Sequence, residues 1–130
     1  MSRERGTASL ELALVVPTLM LLVLGVLQFG LWYHAQNVVK TAALEGARVA
    51  AAEDGTADEG RARALALVSE GLENAVSDRE ATASVGQESA RVRVTAQVRG
   101  LLPVPGLTSF SLASEASVFR ERFRPAEEGP

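Results

Sequence analysis

Residues 12–33 read LALVVPTLMLLVLGVLQFGLWY, and this stretch decides the fold. Seventeen of its 22 residues are apolar, and from Leu12 to Val39 there is no Asp, Glu, Lys or Arg. As a helix, 22 residues rise roughly 33 Å, enough to cross a hydrocarbon layer about 30 Å thick. A surface helix of a soluble fold keeps a polar face towards water, and a charge-free run of this length has none to offer. Phe29, Trp32 and Tyr33 cluster at the far end, where interfacial aromatics sit, with Lys40 beyond them. The stretch reads as a membrane span.

The rest of the composition narrows the function. The chain has 130 residues, a net charge of −3, no cysteine and one histidine. Absence of cysteine excludes a disulfide framework, thiol catalysis and a cysteine-ligated metal. A catalytic triad would have to use His34, which lies at the membrane edge without triad context. The mildly acidic balance argues against broad electrostatic binding of nucleic acid, so no nucleic-acid partner is expected. No nucleotide loop, paired-carboxylate site or nucleophile elbow is present. The expectation is a non-enzyme with no cofactor and no metal.

Orientation follows from the flank. Arg3 and Arg5 precede the span, against Glu4, and the positive-inside bias counts Lys and Arg. The N-terminus is expected in the cytoplasm and everything after about Gln36 outside. Three membrane readings compete: a secretory signal peptide, an uncleaved anchor, and a prepilin-type leader. A secretory peptide needs an apolar region of about 7–15 residues and a nearby small-x-small cleavage site. The best such site, Ala50-Ala51-Ala52, lies far beyond the apolar run.

The residues ahead of the span point to the third reading. They run Arg3-Glu4-Arg5-Gly6-Thr7-Ala8-Ser9-Leu10-Glu11 and pass directly into the apolar helix. A leader glycine with a glutamate five positions on, abutting such a helix, resembles type IV prepilins. The wider pattern Gly6-x-x-x-x-Glu11-x-Ala13-Leu14-Val15-x-Pro17, then Leu-rich sequence ending Gln28-Phe29-Gly30, is similar to the TadE-like pseudopilins of tight-adherence (Flp) pilus systems. The resemblance covers about residues 5–50. It implies cleavage after Gly6 by a prepilin peptidase, leaving Thr7 as the new N-terminus and Glu11 as its fifth residue. It also implies that Glu11 docks subunits by pairing with a neighbour's freed amine, that the partners are other pilins and pseudopilins with the Tad assembly machinery, and that the chain serves in a surface pilus.

The chemistry of these positions agrees with that implication. Glycine lets an extended backbone at Gly6 come close to a protease, and Thr7, Ala8 and Ser9 are small. A carboxylate at the mouth of a membrane helix is costly unless paired, although Glu11 would also favour the helix N-terminal dipole by about 0.3–1 kcal/mol. Pro17 removes one backbone hydrogen bond and is expected to shape the helix.

Beyond the span the same helix is expected to continue over 36–52. Its small residues fall in rows, Ala42, Gly46 and Ala50, with Ala43, Ala47 and Ala51 beside them. Such rows permit close approach, either of neighbouring pseudopilins or, the favoured alternative, of the chain's own sheet. Lys40, Glu45 and Arg48 read as a solvated face. Glu53–Gly60 reads as an acidic linker without the spacing of an EF-hand. A second helix is expected over about Arg61–Val76, with Leu65, Val68, Leu72 and Ala75 or Val76 as its apolar stripe.

After Asp78 the apolar period changes to two. Val92, Val94, Ala96 and Val98 alternate with Arg91, Arg93, Thr95, Gln97 and Arg99, a half-buried strand with a basic, solvated face. Residues 81–86 make a shorter partner strand, turning at Gly86-Gln87-Glu88. Gly100 to Gly106, with Pro103 and Pro105, is a connection. Ser109–Arg120 is a third strand with Phe110, Leu112, Ala116 and Val118 on one face.

The expected fold class is α+β, pilin-like in outline. A leader occupies residues 1–6, a transmembrane helix 7–35, its extension 36–52, a small extracytoplasmic domain 53–123 and a disordered tail 124–130.

Overall fold

The computed structural model describes residues 2–120; the expected tail at 124–130 lies outside the described residues. A single helix, α1, runs from Ser2 to Ala51 without a break, passing through Pro17. Strong helix formers populate its first turns, among them Arg3, Glu4, Arg5, Ala8, Leu10 and Glu11. Proline has no N–H to offer the Ala13 carbonyl. One position on, the Thr18 hydroxyl donates to the Leu14 carbonyl at 2.7 Å.

A short connection leads to α2, Ala57–Leu72. Thr56 caps it, its hydroxyl accepting from the Glu59 N–H at 3.2 Å. Thr56-Ala-Asp-Glu59 has the Ser/Thr-x-x-Glu spacing of a capping box, so Ala57 to Gly60 are helical rather than linker. The helix also ends earlier than expected. Glu73 takes a positive φ of 43°, which stops α2 at Leu72, and a short 3₁₀ turn, Glu73–Ala75, follows. Val76 is thereby released to start β1, where it pairs with Val98.

Three strands form one antiparallel sheet in the order β1-β2-β3: Val76–Val85, Ser89–Arg99 and Ser109–Phe119. β1 is longer than the residues 81–86 assigned to it. Its first half faces water and lacks the alternation that marks a half-buried strand. The central strand matches expectation, with Ala90, Val92, Val94, Ala96 and Val98 all buried. Cross-strand neighbours on that face include Val92 with Ala83 and Ala116, and Val94 with Ala81.

α2 and the second half of α1 cover this face, making a two-layer α+β head. Its buried side chains are mainly alanine and valine, with Leu72 and Leu112, and no polar side chain is buried among the described residues. Small side chains let the layers come close. An added Cβ at Gly46 would lie 2.7 Å from the Gly60 carbonyl oxygen and 2.9 Å from the Ala64 Cβ; one at Gly60 would lie 2.6 Å from the Gly46 carbonyl oxygen. Val38 meets Gly71 in the same way. The numbering rises along one helix as it falls along the other, so α1 and α2 are antiparallel.

The expected stripe of α2 therefore rotates. Its buried line is Gly60, Ala64, Val68 and Leu72, while Leu65 is only half-buried. A glycine and an alanine carry little hydropathy, yet they form the seam because α1 approaches there. At the edge of the sheet, the Arg61 Nε–H donates to the Ala81 carbonyl at 2.9 Å, occupying an acceptor on the outer strand.

Two substitutions test this packing, read by denaturant unfolding of the full chain in detergent. Gly46→Ala is expected to destabilise the head by about 1–3 kcal/mol through overpacking, despite alanine's better helix propensity. Gly25→Ala, with nothing within 4 Å of its added Cβ, is expected to show no such loss. Glu73→Gly is expected to raise stability by about 1 kcal/mol, since glycine adopts positive φ without strain.

Candidate functional site: the exposed helix and its N-terminal end

α1 changes character along its length. From Leu10 to Tyr33 its large apolar side chains stand exposed, while inward packing starts at Ala35 and continues through Val39, Ala42, Ala43, Gly46, Ala47, Ala50 and Ala51. Its most apolar 18-residue window has a mean hydropathy of 2.5, and none of it is buried. A core helix of a soluble protein would be buried over such a window. This one is long and apolar enough to cross a membrane, which suggests membrane anchoring.

Between Leu12 and Leu31 the polar side chains are Thr18 and Gln28, and both are bonded. Thr18 returns its hydroxyl to the Leu14 carbonyl, as described above. Gln28 reaches the head: its Oε1 accepts the Leu101 backbone N–H at 2.6 Å. Such internal bonding is what polar groups need in a hydrocarbon environment. Near the same level, the Phe29 and Trp32 rings lie 5.9 Å apart between centroids.

Gly6, Thr7 and Glu11 occupy the first turns of α1, all exposed. The backbone at Gly6 is helical, not extended, because α1 runs unbroken from Ser2 through the apolar stretch. That section of helix is weak. Gly6 lowers helix propensity by about 1 kcal/mol relative to alanine. The Thr7 and Ser9 hydroxyls turn back to the Arg3 and Arg5 carbonyls, at 2.6 and 3.0 Å, a bonding mode that loosens helices slightly. Thr7 and Glu11 are four residues apart in the helix and so share a face. Glu11 has no ion-pair partner among the described residues.

The row Ala42, Gly46 and Ala50 is brought together with the head. All three residues are buried, and Gly46 and Ala50 meet Gly60 of α2. The parallel row runs against the sheet, with Ala51 beside Val118 and Phe119 of β3. These small residues are thus taken up by packing within the chain. Of the secretory cleavage pattern Ala50-Ala51-Ala52, Ala50 and Ala51 are part of the same core and Ala52 is exposed.

Other charged groups behave as a solvated surface. Arg91, Arg93 and Arg99 are exposed on the outer sheet face, where Arg91 Nε lies 3.4 Å from a Glu115 carboxylate oxygen. Arg48 pairs with Glu45 at 2.6 Å one helical turn away. Exposed pairs of this kind contribute little to stability. Among the described residues, no group of three or more His, Asp or Glu is placed to hold a metal ion. His34 Nε2 donates to the Gly71 carbonyl at 3.1 Å, which ties α1 to α2.

Gln28 is the residue that sequence reasoning passed over. A lone amide inside an apolar run was the available signal, since it requires a partner; its partner is 73 residues away in the chain. No curated protein and no solved structure matches the chain. Residues 6–48, which lie within α1, match the model of the TadE-like protein family.

Proposed function

We propose that this chain is a minor pseudopilin of a Tad pilus system, cut after Gly6 by a prepilin peptidase and then acting in assembly of a Flp-type, type IVb-like surface pilus. The family match associates it with Tad pili in general terms. The observation that carries the finer reading is the state of α1: an apolar half whose most hydrophobic 18-residue window is unburied, headed by Gly6 and Glu11 in the spacing that resembles the family's.

The leader, with Arg3 and Arg5, stays on the cytoplasmic side, and the head lies outside. The peptidase reaches Gly6–Thr7 where the helix is easiest to unwind. Cleavage frees an ammonium at Thr7, one turn from Glu11. A carboxylate entering the bilayer is stabilised by an opposite charge, and a neighbour's freed ammonium supplies it as subunits pack. Lateral contacts then come from the exposed apolar half of α1, shaped by Pro17, because α2 already fills the row at Gly46. The role is structural rather than catalytic. The partners are the prepilin peptidase, neighbouring pilins and pseudopilins, the Tad machinery and the bilayer.

N-terminal sequencing of protein from cells that contain the peptidase is expected to find Thr7 first. Gly6→Ala is expected to accumulate precursor with the fold unchanged, since an added Cβ there meets nothing within 4 Å. A mature chain starting at Met1 or Ser2 would sink the processing reading. It would favour an uncleaved single-pass anchor whose outer domain binds a partner.

For Glu11→Ala, cleavage is expected to remain largely intact while surface pili, counted by electron microscopy, fall by about tenfold or more. Normal piliation in that variant would remove the docking role.

A further inference from the structure

The loop joining β2 to β3 has a composition unlike the rest of the head. Between Arg99 and Glu115 there is no charged residue, and the loop itself reads Gly100-Leu-Leu-Pro-Val-Pro-Gly-Leu-Thr108. Leu101, Val104 and Leu107 are 50%, 45% and 48% exposed, where an ordinary surface turn would carry polar residues.

The loop is held in shape. Its root is closed by the Gly100 N–H donating to the Thr108 carbonyl at 2.8 Å, and its tip by the Leu107 N–H donating to the Val104 carbonyl at 2.9 Å. Pro105 and Gly106, the latter at φ 87°, are the central residues of that turn, as the proline–glycine preference of a type II turn requires.

Its position is fixed by Gln28. Taking Glu11 at the inner edge of the bilayer, Gln28 lies 17 residues along α1, a rise of roughly 25 Å. The hydrocarbon layer is about 30 Å thick. Leu101, bonded to Gln28, therefore stands at the outer boundary of that layer, level with Phe29 and just below Trp32. Arg99, exposed at the loop's root, is placed for its guanidinium to remain at the headgroups.

The geometry points to the β2–β3 loop as a second membrane contact, a preformed apolar wedge that enters the outer interface of the lipid bilayer beside α1. Lipid is the occupant the observations favour, because the exposed loop is continuous with the exposed apolar face of the helix. With the loop seated, the head rests on the bilayer at its β2–β3 end. The β1–β2 turn at Gly86–Glu88 lies a strand of 11 residues away, roughly 36 Å, in water.

This inference rests on α1 spanning the bilayer, and the experiment separates the two. The chain has no native cysteine among its described residues, and none in its sequence, so single thiols can be introduced cleanly. Val104→Cys, Leu107→Cys, Leu21→Cys and Gln87→Cys variants of the full chain are spin-labelled in vesicles of phosphatidylethanolamine and phosphatidylglycerol. Relaxation by dissolved oxygen and by a water-soluble nickel chelate is then compared.

Labels at Val104 and Leu107 are expected to favour oxygen over the chelate severalfold relative to Gln87, approaching Leu21. Labels there as open to the chelate as Gln87, with Leu21 still lipid-like, would overturn the loop contact and leave the anchor standing. Labels shielded from both reagents would overturn it in favour of a protein–protein contact. A chelate-accessible Leu21 would overturn the anchor and the loop contact together.

Discussion

One unbroken helix has to suit two environments, and the rest of the structure follows from how it does so. Over its first half α1 offers exposed leucine, valine and aromatic side chains, a surface suited to lipid or to other helices like itself. Over its second half it offers alanine and glycine, a surface thin enough to receive α2 and the sheet. There is no hinge between the halves. The head is built directly on the helix, and any movement of α1 in the plane or along the axis of a membrane carries the head with it.

The small-residue seam makes that coupling rigid. Gly46 and Gly60 let two backbones approach to a distance at which even a methyl group would intrude, and close approach of this kind maximises dispersion contacts in a core that has few large side chains. A head of this size has little surface to bury, and α1 supplies one of its two layers. The helix therefore carries the exposed apolar stretch and one layer of the core at once.

Much of this was legible in the residues themselves. The apolar run, the period-two alternation of Val92 to Val98 and the turn at Gly86 identified the long apolar helix, the central strand and the hairpin. Local readings failed where a long-range contact prevailed. The α2 stripe was placed on Leu65 by hydropathy, whereas sterics turned Gly60 and Ala64 inward. The early part of β1 carried no alternation, since its side chains face water and only its pairing with β2 makes it a strand. The capping box at Thr56–Glu59 was a local signal that hydropathy and charge overshadowed. At Gly6, glycine's tolerance of an extended chain was outweighed by the continuous helix α1.

By itself the sequence determined the α+β class, the long apolar helix and the register of Gly6, Glu11 and Pro17, since these depend on the order and spacing of residues along one segment. Only the tertiary structure decided what each helical face meets. The row at Ala42, Gly46 and Ala50 could have served a neighbouring subunit or, the favoured alternative, the chain's own sheet; instead it is chiefly the α2 seam that takes it up, Gly46 and Ala50 meeting Gly60. Likewise Gln28 and the connection from Gly100 to Thr108 lie far apart in the sequence, and the fold joins them at one level of α1. The physical reason is the same in both cases: contact between distant segments depends on shape and distance in three dimensions, which periodicity along the chain does not encode.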